Sequence, residues 1–192
     1  MAGRMKNWLL TFGFCFLALV LQSTLLPSLF TSIGNFIHWK ALIHLTINVV
    51  LLILMYIYFS RDFFSAFFWM IAIILMQNAF DVPWKGSLAL SYFFLMIIIY
   101  FMETMFVFQY SISSMFIIFA LIFLQNVFHL LLGSISMGFE YPFYGEIFRM
   151  FINSFISTLA VPFVFAVLYY IDSRTIFHFD KSKSFFGRRV GL

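Results

Sequence analysis

Charged residues are scarce in this chain, making up 9% of its 192 residues, against roughly a quarter in soluble domains. Hydrophobic residues make up 64%, and 31 positions are phenylalanine. Too few polar residues remain to cover a soluble core. The composition also excludes a disordered chain, which would be poor in aromatics, and argues against nucleic-acid binding and conventional hydrolytic domains. We therefore expect an integral membrane protein without a separate soluble domain.

Cysteine is almost missing, and the alternation typical of barrel strands is missing as well. The single cysteine, Cys15, lies inside the first apolar run, so no intrachain disulfide can form, and we expect it to be a small buried side chain. Barrel strands alternate apolar and polar residues over about ten positions. Here the apolar runs are continuous and longer, and residues 41–59 carry no charge. The fold class predicted is therefore an all-α polytopic membrane bundle.

The length predicts about six transmembrane helices, because a spanning helix with its connection uses roughly 30 residues. Turn-forming and polar residues separate spans that we place at residues 8–30, 41–59, 63–80, 87–108, 112–133 and 147–171. The first run is too long for the core of a cleaved signal peptide, so we expect a retained helix. Residues 172–192 are predicted to form a basic, aromatic tail.

The positive charges predict that both termini are cytoplasmic. With the N-terminus inside, the outside loops carry Lys40 and Lys85, with Arg149 just within the last span. All eight other bases lie on inside segments, as the positive-inside rule requires: Arg4, Lys6, Arg61, Arg174, Lys181, Lys183, Arg188 and Arg189. The tail bases interleave with phenylalanines, so the tail can either bind anionic lipid or merely set the topology.

Three glutamines at matching depth predict a polar layer between helices. Gln22, Gln77 and Gln125 each lie at a similar position along the first, third and fifth spans, which run in the same direction. Polar groups in lipid need partners, and each interhelical bond contributes about 0.6–2 kcal/mol. The predicted layer consists of Gln22, Gln77, Asn78, Gln125, Asn126 and His129. The alternative is three unrelated interfacial amides.

The remaining polar residues do not supply a catalytic or metal-binding pattern. His129 shares a helix face with Gln125, as His44 does with Asn48, but neither pair has a third convergent ligand. Glu103 is open to three interpretations: pairing with Arg61, reaching the interface, or relaying protons. Nucleophile, base and oxyanion donors do not occur together, and neither does a zinc or phosphate-loop motif. We expect no enzyme activity, no cofactor and no metal.

Several stretches resemble the rod shape-determining MreD family. Residues 19–27 are similar to the family's first span, in which a Leu-Gln pair precedes an outer turn. Residues 77–90 resemble its most recognisable motif, in which an aspartate closes one span and a glycine opens the next. Residues 153–172 are similar to its last span, where a proline breaks the helix and a charged residue follows.

The resemblance implies a non-enzymatic scaffold in the bacterial cytoplasmic (inner) membrane. Its partners would be a bitopic MreC-like protein and the elongation complex for lateral peptidoglycan synthesis, including a RodA-type polymerase, a transpeptidase and, indirectly, MreB. The outer turn with Asp81, Pro83, Trp84 and Gly86 would face a partner's juxtamembrane segment. MreD-like proteins also resemble the substrate-binding subunits of energy-coupling-factor transporters, so the alternative is a small-molecule-binding subunit whose pocket the glutamines line.

Overall fold

A computed structural model describes residues 2–36, 46–61, 63–79, 85–105, 112–137 and 143–175. Every regular element in these ranges is helical, which confirms the all-α prediction. The elements are α1 (Ala2–Val20), a π-helical turn (Leu21–Leu25), α2 (Leu26–Phe36), α3 (Val49–Ser60), α4 (Phe63–Ala79), α5 (Lys85–Met105), α6 (Ile112–Met137) and α7 (Phe143–Arg174). Because α1, the π turn and α2 are continuous, the described elements form six helical rods.

Three stretches of the described helices are long and apolar enough to cross a membrane: Met5–Phe36, Met115–Ile135 and Glu146–Arg174. Shorter apolar helices occupy Val49–Ser60, Phe63–Ala79 and Leu88–Met102. The shortest, α3, has 12 residues and is therefore about 18 Å long at 1.5 Å per residue. That is less than the roughly 30 Å of a bilayer's hydrocarbon core.

Several helix ends differ from those expected from the sequence. The first rod covers residues 2–36, not 8–30, α6 ends at Met137, not at 133, and α7 begins at Phe143, not at 147, and continues through Pro162. Two further differences concern the second span and the tail. Residues 46–48 of the second predicted span are not helical, and α3 begins at Val49 because the Asn48 side chain caps it by accepting from the Leu51 N–H. Residues 41–45 lie outside the described part. At the other end of the chain, α7 continues through Arg174, so Asp172 belongs to the helix and is buried, not part of a surface tail.

The π turn joins α1 to α2 just before Pro27. In this turn the Leu26 N–H donates to the Leu21 carbonyl, one residue further back than in an α-helix. Proline clashes with the carbonyl four residues before it, and a wider turn at this position relieves that crowding. The hydroxyls of Ser23 and Thr24 donate to the Val20 carbonyl at 3.4 and 2.6 Å. The turn thus keeps the helix continuous. Gln22 lies within it, where the hydrogen-bonding pattern departs from that of an α-helix.

Helix α3 lies at the centre of the bundle. All its residues from Val50 to Phe59 are buried, and it packs against α1, α4, α5 and α7. A helix that is hydrophobic all round is typical of a fully buried element. Helix α6 packs between α5 and α7. The consequence is that both ends of α3 must be satisfied by neighbouring helices.

Large apolar side chains cover the outside of the bundle. Phe36 is 87% exposed and Phe163 is 76% exposed, and many others also face outward. A soluble monomer rarely exposes contiguous apolar patches above a few hundred Å². Examples on four further helices are Phe12, Phe64, Tyr100 and Phe116. The polar side chains, by contrast, concentrate at the two ends of α3 and along the interfaces between helices.

Candidate functional site

A buried ion pair lies at the C-terminal end of α3. The Arg61 Nη2 atom is 3.2 Å from the Asp172 Oδ1 atom, and the two side chains are 1% and 2% exposed. Asn7 donates to the same carboxylate oxygen at 2.7 Å, and the Tyr56 hydroxyl donates to the other oxygen at 2.9 Å. The carboxylate therefore accepts from three side chains, one on α1 and two at the C-terminal end of α3. A buried charge requires this kind of compensation, because its desolvation is costly.

The same network extends into the start of α1. Arg61 Nη2 also donates to Asn7 Oδ1 at 3.1 Å and to Thr11 Oγ1 at 3.3 Å. Asn7 in turn donates to Thr175 Oγ1 at 2.7 Å. We call this set the Arg61 network; it consists of Asn7, Thr11, Tyr56, Arg61, Asp172 and Thr175. It joins the beginning of the chain to the end of α7 through the turn that follows α3.

Local sequence explains why these groups meet. Asn7 and Thr11 are four residues apart on α1 and therefore share a face. Arg61 directly follows α3, whose C-terminal carbonyls carry partial negative charge and favour a cation. Its guanidinium also lies 5.5 Å from the centre of the Trp69 ring, which stacks on Trp8 at 4.9 Å. The aromatic pair covers the network on the side of α1 and α4.

Among the described residues, Asp172 is an acidic partner of Arg61. The side chain of Glu103, for which the sequence leaves three interpretations open, lies outside the described part. Nothing in the sequence singled out Asn7, Thr11 or Tyr56. The sequence feature that could have identified Asp172 as a partner of Arg61 is its position at the end of the last apolar run. With both termini placed on one side of the bundle, Asp172 and Arg61 fall at the same level as the polar face of α1.

A neutral network satisfies the opposite end of α3. The Asn48 N–H donates to Ser157 Oγ at 3.2 Å, and the Val50 N–H donates to Gln22 Oε1 at 3.0 Å. Gln22 Nε2 also donates to Asn48 Oδ1 at 3.4 Å. Asn153 accepts from the Thr46 N–H at 3.2 Å and donates to its hydroxyl at 3.2 Å. We call this set the Asn48 network; it consists of Gln22, Thr46, Asn48, Asn153 and Ser157.

These contacts occupy the amides at the beginning of α3. The first N–H groups of any helix have no partner within the helix. Here Ser157 and Gln22 accept from Asn48 and Val50, Asn48 Oδ1 accepts from Leu51 at 3.1 Å, and the Val49 N–H donates to the Ile47 carbonyl at 3.0 Å. The helix can therefore begin inside the bundle without leaving donors unsatisfied. Gln22, which the sequence predicts as a member of the polar layer, therefore caps another helix.

The other two glutamines bind helix α5. Gln77 Nε2 donates to the Tyr92 hydroxyl at 3.1 Å, and Gln125 Nε2 donates to Ser91 Oγ at 3.1 Å. Because Ser91 and Tyr92 are adjacent, both glutamines reach the same turn of α5 from opposite neighbours. Tyr92 also interacts with the Asn48 side chain. Among the described residues no glutamine of the predicted layer bonds directly to another: Gln22 bonds to the start of α3, and Gln77 and Gln125 both bond to α5.

The remaining residues of the predicted layer lie near these contacts. Asn126 Nδ2 donates to Ser154 Oγ on α7 at 3.1 Å. Asn78 and His129 are half-buried and both interact with other residues. Gln77 and Gln125 are 4% and 2% exposed, yet their Oε1 atoms have no hydrogen-bond partner in the described part of the chain. Both carbonyl oxygens belong to the predicted layer, and no donor of the described residues satisfies them.

The predicted outer turn and tail lie largely outside the described residues. This applies to Asp81, Pro83 and Trp84, and to Lys181, Lys183, Arg188 and Arg189. Gly86 lies in the first turn of α5. Arg174 is exposed near the end of α7, with its guanidinium 5.2 Å from the centre of the Tyr170 ring. Within the described ranges, no three His, Cys, Asp or Glu side chains are grouped to hold a metal ion.

Two concavities accompany these networks. A cavity of about 50 Å³ adjoins Arg61 between the end of α3 and helices α4 and α5. A wider groove of about 350 Å³ runs between α6 and α7, and its walls are almost wholly apolar, with Phe116, Phe119, Phe151 and Phe155 among them. The first concavity contains a buried cation and the second contains none.

No family model matches the chain, and neither a curated protein nor a solved structure is similar to it. The resemblance to the MreD family therefore depends on the sequence motifs alone. The geometry of the described residues supplies the independent information: a helical bundle with an apolar exterior, whose polar groups connect helices to one another.

Proposed function

We propose that the chain is a non-catalytic scaffold embedded in the bacterial cytoplasmic membrane, similar in role to MreD. In this proposal six helices cross the membrane and both termini are cytoplasmic. The observation that carries it is the exposure of large apolar side chains around a bundle whose polar groups are turned inward. Lipid tails would cover that exterior without cost, whereas water would not.

The geometry of α3 supports membrane insertion. A helix of about 18 Å would be too short to span a bilayer alone. Because α3 is surrounded by α1, α4, α5 and α7, its ends meet protein groups instead of lipid. Irregular backbone at membrane depth is tolerated where protein groups satisfy it, and the N–H groups of Thr46 and Asn48 donate to Asn153 and Ser157.

The bonding of the buried polar groups supports a structural role for them. The Arg61 network joins α1, α7 and the end of α3, and the Asn48 network joins the π turn, α7 and the start of α3. Most of their donors and acceptors are used in contacts between helices. Such a bundle offers a rigid surface to neighbouring helices, and association in a membrane depends on packing with few polar contacts.

The resemblance supplies the partners of this proposal. A bitopic MreC-like protein would bind beside the bundle, with its juxtamembrane segment near Asp81 and Trp84. Through it the chain would support the RodA-type polymerase, the transpeptidase and, indirectly, MreB. The basic tail, with Arg174, Lys181 and Lys183 among its bases, would lie on anionic lipid.

Depletion in the source cells, followed by microscopy, tests the scaffold. We expect rods to become round as the protein is lost, because lateral wall synthesis would lose its organisation. Co-purification with the MreC-like protein after cross-linking provides the molecular measurement. Normal shape together with no cross-linked partner would contradict the proposal.

A transporter subunit is the second candidate, and one observation favours it. The Oε1 atoms of Gln77 and Gln125 are buried without a donor, as acceptors awaiting a ligand would be. Uptake of labelled vitamins in depleted cells separates the two functions. Loss of uptake with unchanged cell shape would favour the transporter subunit, and rounding with unchanged uptake would favour the scaffold.

A further inference from the structure

The cavity beside Arg61 lies at the C-terminal end of α3, between helices α4 and α5. Its volume is about 50 Å³. One water needs about 10–15 Å³, so the cavity has room for about three to five waters. Two of its lining residues, Phe63 and Tyr100, are exposed. The cavity is therefore open to the surface at this end of the bundle.

Polar side chains form part of the lining of this cavity. The described residues that line it are Tyr58, Arg61, Phe63, Ala66, Met96, Ile99 and Tyr100. A cavity with wholly apolar walls stays dry, whereas water is retained where it meets two or more polar groups. Two hydroxyls and a guanidinium are available here. The Tyr58 hydroxyl donates to the Tyr92 carbonyl at 3.4 Å, and its oxygen can still accept from water.

The buried ion pair beside the cavity also favours water there. The side chains of Arg61 and Asp172 are 1% and 2% exposed, and taking two charges out of water is costly. Charged side chains within membrane proteins face the bundle interior or a water-filled cavity. Arg61 both pairs with Asp172 and lines the cavity. Water in the cavity would lower the desolvation cost through its polarity, while every hydrogen bond of the Arg61 network stays in place.

We propose that this cavity is a water-filled crevice that enters the bundle between α4 and α5 and reaches Tyr58 and Met96. Its ligand is a small cluster of waters beside the Arg61 guanidinium. The direction in which it opens rests on the proposed function: with both termini cytoplasmic, Arg61 lies on the inside, so the crevice opens to the cytoplasmic side. The bundle would thus contain water next to the residues that join α1, α3 and α7.

Hydroxyl radicals generated from water by a short X-ray pulse test the crevice directly. They modify side chains that touch water, and methionine is oxidised to its sulfoxide. Met96 lines the crevice and is 2% exposed, whereas Met70 is 4% exposed and is not among the described residues that line it. Met70 is therefore the control for burial. With the full chain in lipid nanodiscs, we expect peptide mass spectrometry to show Met96 oxidised several times faster than Met70.

A cavity-filling substitution shows whether the oxidation of Met96 depends on the crevice. Ala66 lines the cavity and is buried, so Ala66→Leu would occupy part of the space and displace water. We expect the oxidation rate of Met96 to fall to that of Met70. Ala79→Leu is the matched control, since Ala79 is exposed at the other end of α4, and it should leave the rate unchanged. Ala66→Val fills less space and replaces Ala66→Leu if thermal unfolding shows that leucine disturbs the fold.

Equally slow oxidation of Met96 and Met70 would overturn the proposal, because the cavity would then be dry or filled by lipid. Fast oxidation of Met96 that neither substitution of Ala66 reduces would also overturn it, since the water would then come from opening of the bundle. Phe68 separates these results from a failure of the proposed function. It is 62% exposed and should be protected by lipid, so its rapid modification would contradict membrane insertion whatever Met96 shows.

Discussion

The two ends of α3 are satisfied by different chemistry. At its N-terminal end, neutral side chains accept from backbone N–H groups, with Gln22 and Ser157 as the acceptors. At its C-terminal end, an arginine and an aspartate form an ion pair that is almost wholly buried. Both arrangements close a helix that is too short to reach the surfaces of a bilayer. They differ in what happens when one member is removed.

That difference follows from the cost of an uncompensated group. Removing a neutral acceptor leaves one buried N–H without a partner, which costs about 1–3 kcal/mol. Removing one ion-pair partner leaves a full charge in a low-dielectric interior, which costs about 3–5 kcal/mol. Single substitutions should therefore lower the free energy of unfolding more at the charged end than at the neutral end. At the neutral end, the loss should increase with the number of hydrogen bonds removed.

The largest effect is expected from Asp172→Ala. Arg61 would lose its counter-charge, and Asn7 and Tyr56 would lose their shared acceptor. We expect the free energy of unfolding to fall by about 3–5 kcal/mol. Unfolding in mixed detergent micelles, followed by tryptophan fluorescence, measures it, because Trp8 and Trp69 stack beside the network.

Two further variants establish that charge causes this loss. Glu146→Gln removes the half-buried partner of the exposed Arg149 on α7, and pairs at the surface contribute only about 0–1 kcal/mol. Replacing both members, as Arg61→Met with Asp172→Leu, should be less harmful than Asp172→Ala, since no charge would remain buried. If the double variant has a lower free energy of unfolding than Asp172→Ala, the hydrogen bonds at the C-terminal end of α3 contribute more to stability than the charges do.

Composition was enough to predict the helical class and the number of rods, because continuous apolar runs specify helices directly. The identity of the central helix was harder to obtain. The stretch 41–59 was interpreted as a full span, and nothing in its hydropathy marks Asn48 as the start of α3. That start depends on acceptors from Gln22 and Ser157, which are distant in sequence. The start of α3 is therefore determined by hydrogen bonds between residues distant in sequence, and the local hydropathy pattern does not determine it.

The candidate sites show the same limit. The glutamines were recognisable because a polar residue in an apolar run needs a partner. Their partners were not, since three similar amides suggested bonds to one another. Instead Gln77 bonds to Tyr92 and Gln125 to Ser91. These two residues lie within an apolar helix, and its sequence does not mark them as hydrogen-bond partners. The Arg61 network was missed because Asn7, Thr11 and Asp172 lie at predicted span ends, where polar residues need no explanation.

Gln22→Leu should have the next largest effect. It removes the acceptor of the Val50 N–H and the donor to Asn48. We expect a loss of about 1–3 kcal/mol, because an amide at the start of α3 would be left unsatisfied inside the bundle. Ser23→Ala, in the same π turn but exposed, should cost little. Equal losses for the two variants would show that the π turn, and not the cap, is what Gln22 supports.

Ser157→Ala tests a single bond of the neutral end. Its hydroxyl accepts from the Asn48 N–H at 3.2 Å. We expect a loss of about 1 kcal/mol, the usual value for one cap-type bond, measured by the same unfolding assay. Ser173→Ala provides the comparison on α7, since Ser173 is exposed and bonds only to its own helix through the Tyr170 carbonyl. If Ser157→Ala loses more free energy of unfolding than Gln22→Leu, the order expected for these two variants at the N-terminal end of α3 is wrong.

The smallest effects are expected from Gln77→Leu and Gln125→Leu. Each change loses one bond to α5, worth about 0.6 kcal/mol in a membrane bundle. Each also removes a buried carbonyl oxygen that has no partner in the described residues, and removing such an atom is favourable. The free energy lost with the hydrogen bond and the free energy gained by removing the oxygen nearly cancel, so each variant should lie within about 1 kcal/mol of the parent.

If a ligand satisfies these oxygens, both variants should instead lose ligand-dependent stabilisation, and the double variant should lose it completely. Small additive changes with unaltered partner binding would assign the two glutamines to helix packing alone.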